Sequence, residues 1–472
     1  MVFSRPRRWR LRAAIGSLTV LGAAALASSV AAAPTGPVSS TPAVNTPQLA
    51  NTGSTQQVRQ LVQCGNTMYA VGSFNTIQRN ATTFTRNNVF SFNALSPYQV
   101  NTTFNPNVNG TVNSIAFNGT DCSHAYIGGN FTSVGGTAVK NIAEIDTNTG
   151  AVVTTFAHSA AGKVETLLGA SGHILVGGYY KTINNSSANP YMTSLNPTTG
   201  RDDGFLNLNI SGNYAFAGGQ SENPTRIYNQ SLSHSGRYDL VTGDFSSVGG
   251  LPRQQIFMLD LSTSPATVTG WTSPEWDGSK GELSSSNPTG YPYQCATIEP
   301  FYLQDASWSP DDSTIYIATT GYHPNGFPTG SFPRTGLCDV AAAFPATINP
   351  PQQPNGQPGY VLHNWVNYAG CDSLYSTAAD ASTAYFGGHE RWMSNPNGCD
   401  FAGPGAIKAP GMVGLSPTTG AVTFNPTRGR GLGADDMVIT DEGLWIASDN
   451  LGNTQTCGGQ FSHAGICLLP YN

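Results

Sequence analysis

Tyr126-Ile127-Gly128-Gly129-Asn130-Phe131-Thr132-Ser133-Val134-Gly135-Gly136 reads as a short β run, a glycine pair, a polar–aromatic step and a second glycine pair. The core of this stretch returns along the chain. Closer copies are Tyr69-Ala70-Val71-Gly72-Ser73-Phe74, Leu175-Val176-Gly177-Gly178-Tyr179-Tyr180 and Leu240-Val241-Thr242-Gly243-Asp244-Phe245. Looser ones are Tyr316-Ile317-Ala318-Thr319-Thr320-Gly321, Tyr385-Phe386-Gly387-Gly388-His389-Glu390 and Trp445-Ile446-Ala447-Ser448-Asp449-Asn450. Their final residues stand 49 to 76 residues apart, a period that signals a propeller or a solenoid.

Each unit repeats one internal order. A β run precedes the glycine motif by about a dozen residues, as at 164–168 and 437–440. A polar turn such as Ser309-Pro310-Asp311-Asp312-Ser313 joins the two. A third run ends in a turn of the type Asp146-Thr147-Asn148-Thr149-Gly150, and a fourth carries an aromatic: Phe104, Phe156, Phe205, Trp271, Trp365 or Phe424. Four strands per unit and seven units predict an all-β fold, a seven-bladed β-propeller. A solenoid needs shorter, more uniform coils. The last unit lacks a fourth strand, and residues 44–50 are expected to supply it, closing the ring and covering an open edge.

Composition agrees. Only 10% of the 472 residues are charged, against roughly 25% in an average chain. Lys occurs five times and Glu eight, so two strong helix formers are scarce. Sparse Lys and a net charge of −6 argue against a nucleic-acid binder.

Arg5, Arg7, Arg8, Arg10 and Arg12 precede an apolar run over 13–30 and small residues up to Ala33. This order marks residues 1–33 as a cleaved secretory signal, hence an extracellular protein with no membrane attachment. An N-terminal segment, 34–57, and the propeller, 58–472, with long insertions in blades 4–6, would follow. Without the leader, 16 basic residues face 27 acidic ones. All eight cysteines lie in the mature part, and an even count in a secreted chain predicts disulfides. Proximity in sequence gives Cys64–Cys122, Cys295–Cys338, Cys371–Cys399 and Cys457–Cys467. No Cys/His spacing fits zinc.

The stretch Ile127-Gly128-Gly129-Asn130-Phe131-Thr132-Ser133-Val134-Gly135-Gly136, with Asn141-Ile142-Ala143-Glu144-Ile145-Asp146 and the Thr-Gly turn after it, resembles the delta-60 repeat, a propeller repeat of secreted actinobacterial proteins. Units 5 to 7 lose the Val-Gly-Gly tail. Kelch and quinoprotein-type propellers are more distantly similar. The resemblance implies fold and compartment, and no catalytic residues.

In a propeller built this way, the start of the inner strand and the end of the glycine strand share one face. That face would hold Asp305, Asp372, Asp435 and Asp436, with His389-Glu390-Arg391 in unit 6 and Tyr179-Tyr180 in unit 3. Arg59, Asn113, Glu165 and Asn229 stand in the matching region of units 1 to 4. The insertions at 271–304, 322–337 and 391–411 add Trp271, Trp276, Tyr291, Tyr293, Phe327 and Trp392.

Acids ringed by aromatics suit a glycan, a cell-wall polymer, a cationic ligand or a protein partner. Paired carboxylates would alternatively serve a glycoside hydrolase or lyase. A plainer role for each acid is to accept backbone N–H groups and tie blades together. No nucleophile elbow, zinc-protease motif or phosphate loop is present. No cofactor is expected; Asp311-Asp312 reads as a hairpin turn, with calcium binding the minor alternative, and turns such as Asp146–Gly150 lack the spacing of an EF-hand loop. The expected state is a monomer.

Overall fold

The computed structural model describes residues 36–213, 224–276, 302–321, 337–426, 428–429, 433–450, 456–457 and 461–472. Its regular structure is antiparallel β, with one short 3-10 turn at Pro274–Trp276. No helix among the described residues is long and apolar enough to cross a membrane.

Among the described residues, seven sheets of one repeating pattern follow one another along the chain, beside five small outer ones. Their inner strands are Gln57–Cys64, Thr111–Asn118, Lys163–Ala170, Arg226–Leu232, Tyr302–Trp308, Leu374–Ala379 and Ala434–Thr440. Each pairs with the strand carrying its glycine motif, which pairs in turn with a third strand. Each inner strand packs beside the inner strand of the next sheet, and that of sheet 7 packs beside that of sheet 1. The apolar cores lie between neighbouring sheets. Ile115 and Ile127 of sheet 2 pack with Tyr69 and Val71 of sheet 1. Trp445 and Leu468 of sheet 7 pack with Leu61, Met68 and Phe90 of sheet 1. One face of each sheet therefore serves one core and the opposite face another, which is why the glycine-motif strands are mostly buried along their length.

The sequence motifs resolve into specific turns. Ser133–Val134 and Thr137–Ala138 form a small outer hairpin turned by Gly135 and Gly136. Both have positive φ, 55° and 85°, the requirement of a two-residue type I′ turn. The Thr-Gly turn of one sheet packs on the aromatic of the sheet before it. A Cβ on Gly420 (φ +68°) would lie 2.5 Å from the Trp365 ring, and Trp365 Nε1 donates to the Pro417 carbonyl at 2.8 Å.

Two expectations need correction. Sheets 4, 5 and 6 have four strands, whereas sheets 1, 2, 3 and 7 have three. In sheets 1 to 3 the fourth segment makes only single bridges, Phe92 with Val100, Ile145 with Val152 and Leu195 with Asp202. There side chains take the backbone donors a ladder would use: Asn101 Oδ1 accepts from the N–H groups of Thr103 and Phe104, and Asp203 Oδ1 from Phe205.

The N-terminal segment also differs. Its regular strand, Gln48–Leu49, pairs with Thr76–Arg79 of an outer hairpin. It still runs along the last strand, where the N–H groups of Ser39, Ala43 and Leu49 donate to the carbonyls of Pro470, Leu468 and Ala464.

Disulfides join Cys64 to Cys122, Cys371 to Cys399 and Cys457 to Cys467. The first links the inner hairpins of sheets 1 and 2. Cys338 is disulfide-bonded, and Cys295 lies outside the described residues, as do the leader, Tyr291, Tyr293 and Phe327. Trp271 and Trp276 line no rim: both are fully buried with Phe344 in the core between sheets 4 and 5.

Candidate functional site

All seven inner strands carry the same irregularity. The pairing with the glycine strand slips by one residue between Val58 and Gln60, Val112 and Ser114, Val164 and Thr166, and Ile227 and Asn229. It slips likewise between Leu303 and Asp305, Leu374 and Ser376, and Ala434 and Asp436. Such a bulge leaves one residue unpaired and re-aims its side chain. The residues at the bulges, skipped in the strand register, are Arg59, Asn113, Glu165, Tyr228, Gln304, Tyr375 and Asp435.

The glycine motif is the other half of this device. A Cβ on Gly72 would lie 2.0 Å from the Gln57 carbonyl oxygen, and one on Gly129 2.1 Å from that of Thr111. Gly178, Gly243 and Gly388 meet the same obstruction from Lys163, Arg226 and Ser373. Glycine lets the strand before the bulge come this close.

All seven bulge residues line one cavity of about 380 Å³, together with Gln57, Gln60, Ser114, Thr166, Asn229, Asp305, His389, Asp436 and Asp449. Every lining side chain carries a polar group, and the cavity volume lies in the range of roughly 300–1,000 Å³ usual for small-molecule sites.

The residue after each bulge does different work, tying neighbouring inner strands together. Gln60 Oε1 accepts from Ile115 N–H at 2.7 Å, and Ser114 Oγ from Leu167 N–H at 2.9 Å. Asp305 Oδ2 accepts from Thr377 N–H at 2.8 Å while its Oδ1 takes Asn229 Nδ2 at 2.5 Å. Ser376 Oγ donates to the Ala434 carbonyl at 2.9 Å. Asp436 Oδ2 accepts from Leu61 N–H at 2.8 Å, across the boundary between sheets 7 and 1.

Burial shifts Asp305, Asp435 and Asp436 in the same direction. Burial lifts the Asp305 pKa to about 7 against its hydrogen bonds, with the nearby Asp436 charge adding to the rise. Burial likewise raises Asp436 to about 6, opposed by the Leu61 and Met437 N–H groups. Asp435 reaches about 7, again through burial, although a Gln57 hydrogen bond and the charges of His389 and Arg59 favour its ionised form. The Asp449 charge pushes it up. His389 Nε2 lies 3.5 Å from Asp449 Oδ2, and its ring meets Tyr375 edge-on at 5.1 Å.

The comparisons with known proteins belong beside this geometry. No family model and no curated protein sequence matches the chain. Among solved structures, the WD40 β-propeller domain of Doa1 is similar at 10% identity and a TM-score of 0.42, over 87% of this chain and 95% of that one. The Neurospora crassa Pan2 WD40 domain is similar at 9% identity and a TM-score of 0.33, over 70% and 71%.

Of the nine ligand-site candidates read from the sequence, the cavity brings together Asp305, His389, Asp435 and Asp436. The other five lie elsewhere. Asp372 is buried and grips Arg391 in a two-pronged pair, with Nη2 at 2.7 Å and Nε at 2.8 Å. Arg391 also pairs with Asp400 and stacks on Trp392, so the pair ties down the 391–411 loop. Glu390 is fully buried, held well above the usual carboxylate range by burial. Tyr180 is a core residue whose hydroxyl donates to the Val176 carbonyl at 2.8 Å, and Tyr179 is exposed.

Tyr228, Gln304, Tyr375, Gln57 and Asp449 were missed by sequence reasoning. For the bulge residues a signal existed: an apolar–X–polar triplet opposite each glycine motif, such as Val58-Arg59-Gln60 or Leu374-Tyr375-Ser376. Among the described residues no group of three or more His, Cys, Asp or Glu could hold a metal ion. At the Ser309–Ser313 turn, Asp311 accepts from Ser309 and Ser313, and Asp312 from the N–H groups of His234 and Ser235.

Proposed function

We propose that this chain is a secreted seven-bladed β-propeller that binds a carbohydrate, free or in a cell-wall polymer, in the mouth of its central channel. The observation that carries the reading is the repeated bulge, which delivers one side chain from every inner strand to a single cavity. Those side chains combine amides, acids and an arginine with the rings of Tyr228 and Tyr375. Sugar hydroxyls need donors and acceptors together, and sugar faces pack on rings.

The contact of sheet 7 with sheet 1 and the N-terminal backbone bonds to the last strand support a closed ring. The basic leader, the apolar run and the three disulfides support an extracellular home. A hydrolase would need two carboxyls free to act. Of the acids at the channel mouth, Asp305 and Asp436 are both held by a neighbouring strand's N–H.

A glycan array tests the proposal. The wild-type chain is expected to bind a subset of oligosaccharides, and the Tyr228→Ala/Tyr375→Ala variant to lose them. An array that stays blank, with binding only to a protein partner, overturns the carbohydrate reading. Full retention by the double variant removes the site from the channel mouth.

A further inference from the structure

We infer that the cavity takes the end of a polysaccharide chain and not a stretch within it. This rests on the carbohydrate reading above and names the class of ligand within it.

The wall leaves no side open. Each of the seven inner strands lines the cavity through its bulge residue. One step further along the strands, a side chain bonds every pair of neighbours. Gln230 Nε2 donates to Thr166 Oγ1 at 3.4 Å and joins the inner strands of sheets 3 and 4. The bonds of Gln60, Ser114, Asp305, Ser376 and Asp436 described above join the remaining pairs, that of sheets 7 and 1 included. A cleft that passes a polymer through needs two open sides. Here the way in runs along the axis.

The cavity is also shallow. Behind the bulge residues it reaches Gln60, Ser114, Thr166, Asn229, Asp305 and Asp436, and no described residue deeper along an inner strand lines it. A second cavity, lined by residues 61–63 and 438–441, shares only Gln60 and Asp436 with the first. A volume of about 380 Å³ stands near the small end of the roughly 300–1,000 Å³ usual for ligands, room for about one or two sugar rings. The end of a chain fits that space, with the rest leaving through the mouth. A terminal sugar also carries a free hydroxyl where an internal one carries its linkage. The amides and acids of the wall can both donate to and accept from that hydroxyl.

Calorimetric titration of the full chain uses linear hexamers of glucose, N-acetylglucosamine, mannose and xylose. Each is tested unmodified, with its reducing end opened to the alditol, and with the opposite end blocked by a benzyl ether. For a hexamer that binds, one of the two modifications is expected to weaken binding about tenfold or more, the scale of a lost hydrogen bond and its unpaired partner. The other should leave affinity within about threefold. Equal binding of all three forms overturns chain-end recognition and leaves the carbohydrate reading intact. Loss with both modifications means the hexamer is held along its length, and overturns it too. Gln304→Trp, which narrows the cavity from its wall, should abolish binding, with circular dichroism confirming its fold; the end-modification comparison stands without it. Binding kept by that variant moves the site out of the cavity and overturns the inference. No binding by any hexamer overturns the carbohydrate reading and this inference with it.

Discussion

Replacing Asp436 with Asn should make the protein more stable at alkaline pH and less stable at acidic pH. Asp436 sits where sheet 7 meets sheet 1, accepting from Leu61 N–H at 2.8 Å. Burial lifts its pKa from 3.8 to about 6. The folded chain therefore holds this proton more tightly than the unfolded chain does. Between about pH 4 and pH 6 the folded state binds more protons, so stability falls as pH rises through that window. Above pH 7 the full cost is about 3 kcal/mol, from about 1.4 kcal/mol per pKa unit.

Asn cannot ionise and escapes that cost. Its amide nitrogen must replace one oxygen and face a backbone N–H, of Leu61 or of Met437, at about 1 kcal/mol at every pH. The larger effect wins only where the acid is ionised. Urea denaturation followed by tryptophan fluorescence should place Asp436→Asn about 1 kcal/mol below wild type at about pH 3, level with it near pH 4.5, and about 2 kcal/mol above it at pH 8. A difference that stays flat with pH would refute the buried-charge reasoning.

Three further outcomes are expected. Gly420→Ala should cost about 2 kcal/mol or more in urea denaturation, because its φ is +68° and the new methyl meets the Trp365 ring; unchanged stability would contradict that packing. Changing Cys64 and Cys122 together to Ser should remove about 4 kcal/mol, the loop-closure entropy of a cross-link spanning 58 residues; a variant as stable as wild type would contradict it. Arg391→Ala should remove the guanidinium from the buried Asp372 carboxylate and speed proteolysis within 391–411, while ligand affinity holds; lost affinity at an intact loop would return Arg391 to the binding site.

The strands were legible because burial on both faces leaves long apolar runs beside glycine and Asp/Asn turns. Expected runs at 164–168 and 437–440 lie inside Lys163–Ala170 and Ala434–Thr440. The fourth strands misled: Phe104, Phe156 and Phe205 are buried as expected, yet burial of a ring requires no ladder. Asn101 and Asp203 take the backbone donors instead.

The site was half legible. Asp305, Asp435 and Asp436 stand out by charge, whereas their different roles depend on the bulge, which shifts the alternation by one residue. Tyr228 and Tyr375 look like ordinary strand residues until that shift turns them into the cavity. His389, Glu390 and Arg391 are adjacent in sequence but part ways, to the cavity, the interior and the Asp372 pair.

The most direct test of the channel-mouth site is a crystal structure of the protein soaked with the oligosaccharide it binds most tightly on the array. The account predicts sugar density in the mouth, within hydrogen-bond distance of Asp435 and packed against Tyr228 or Tyr375. Density on the outer edge of a sheet, with the mouth holding only water, would contradict it.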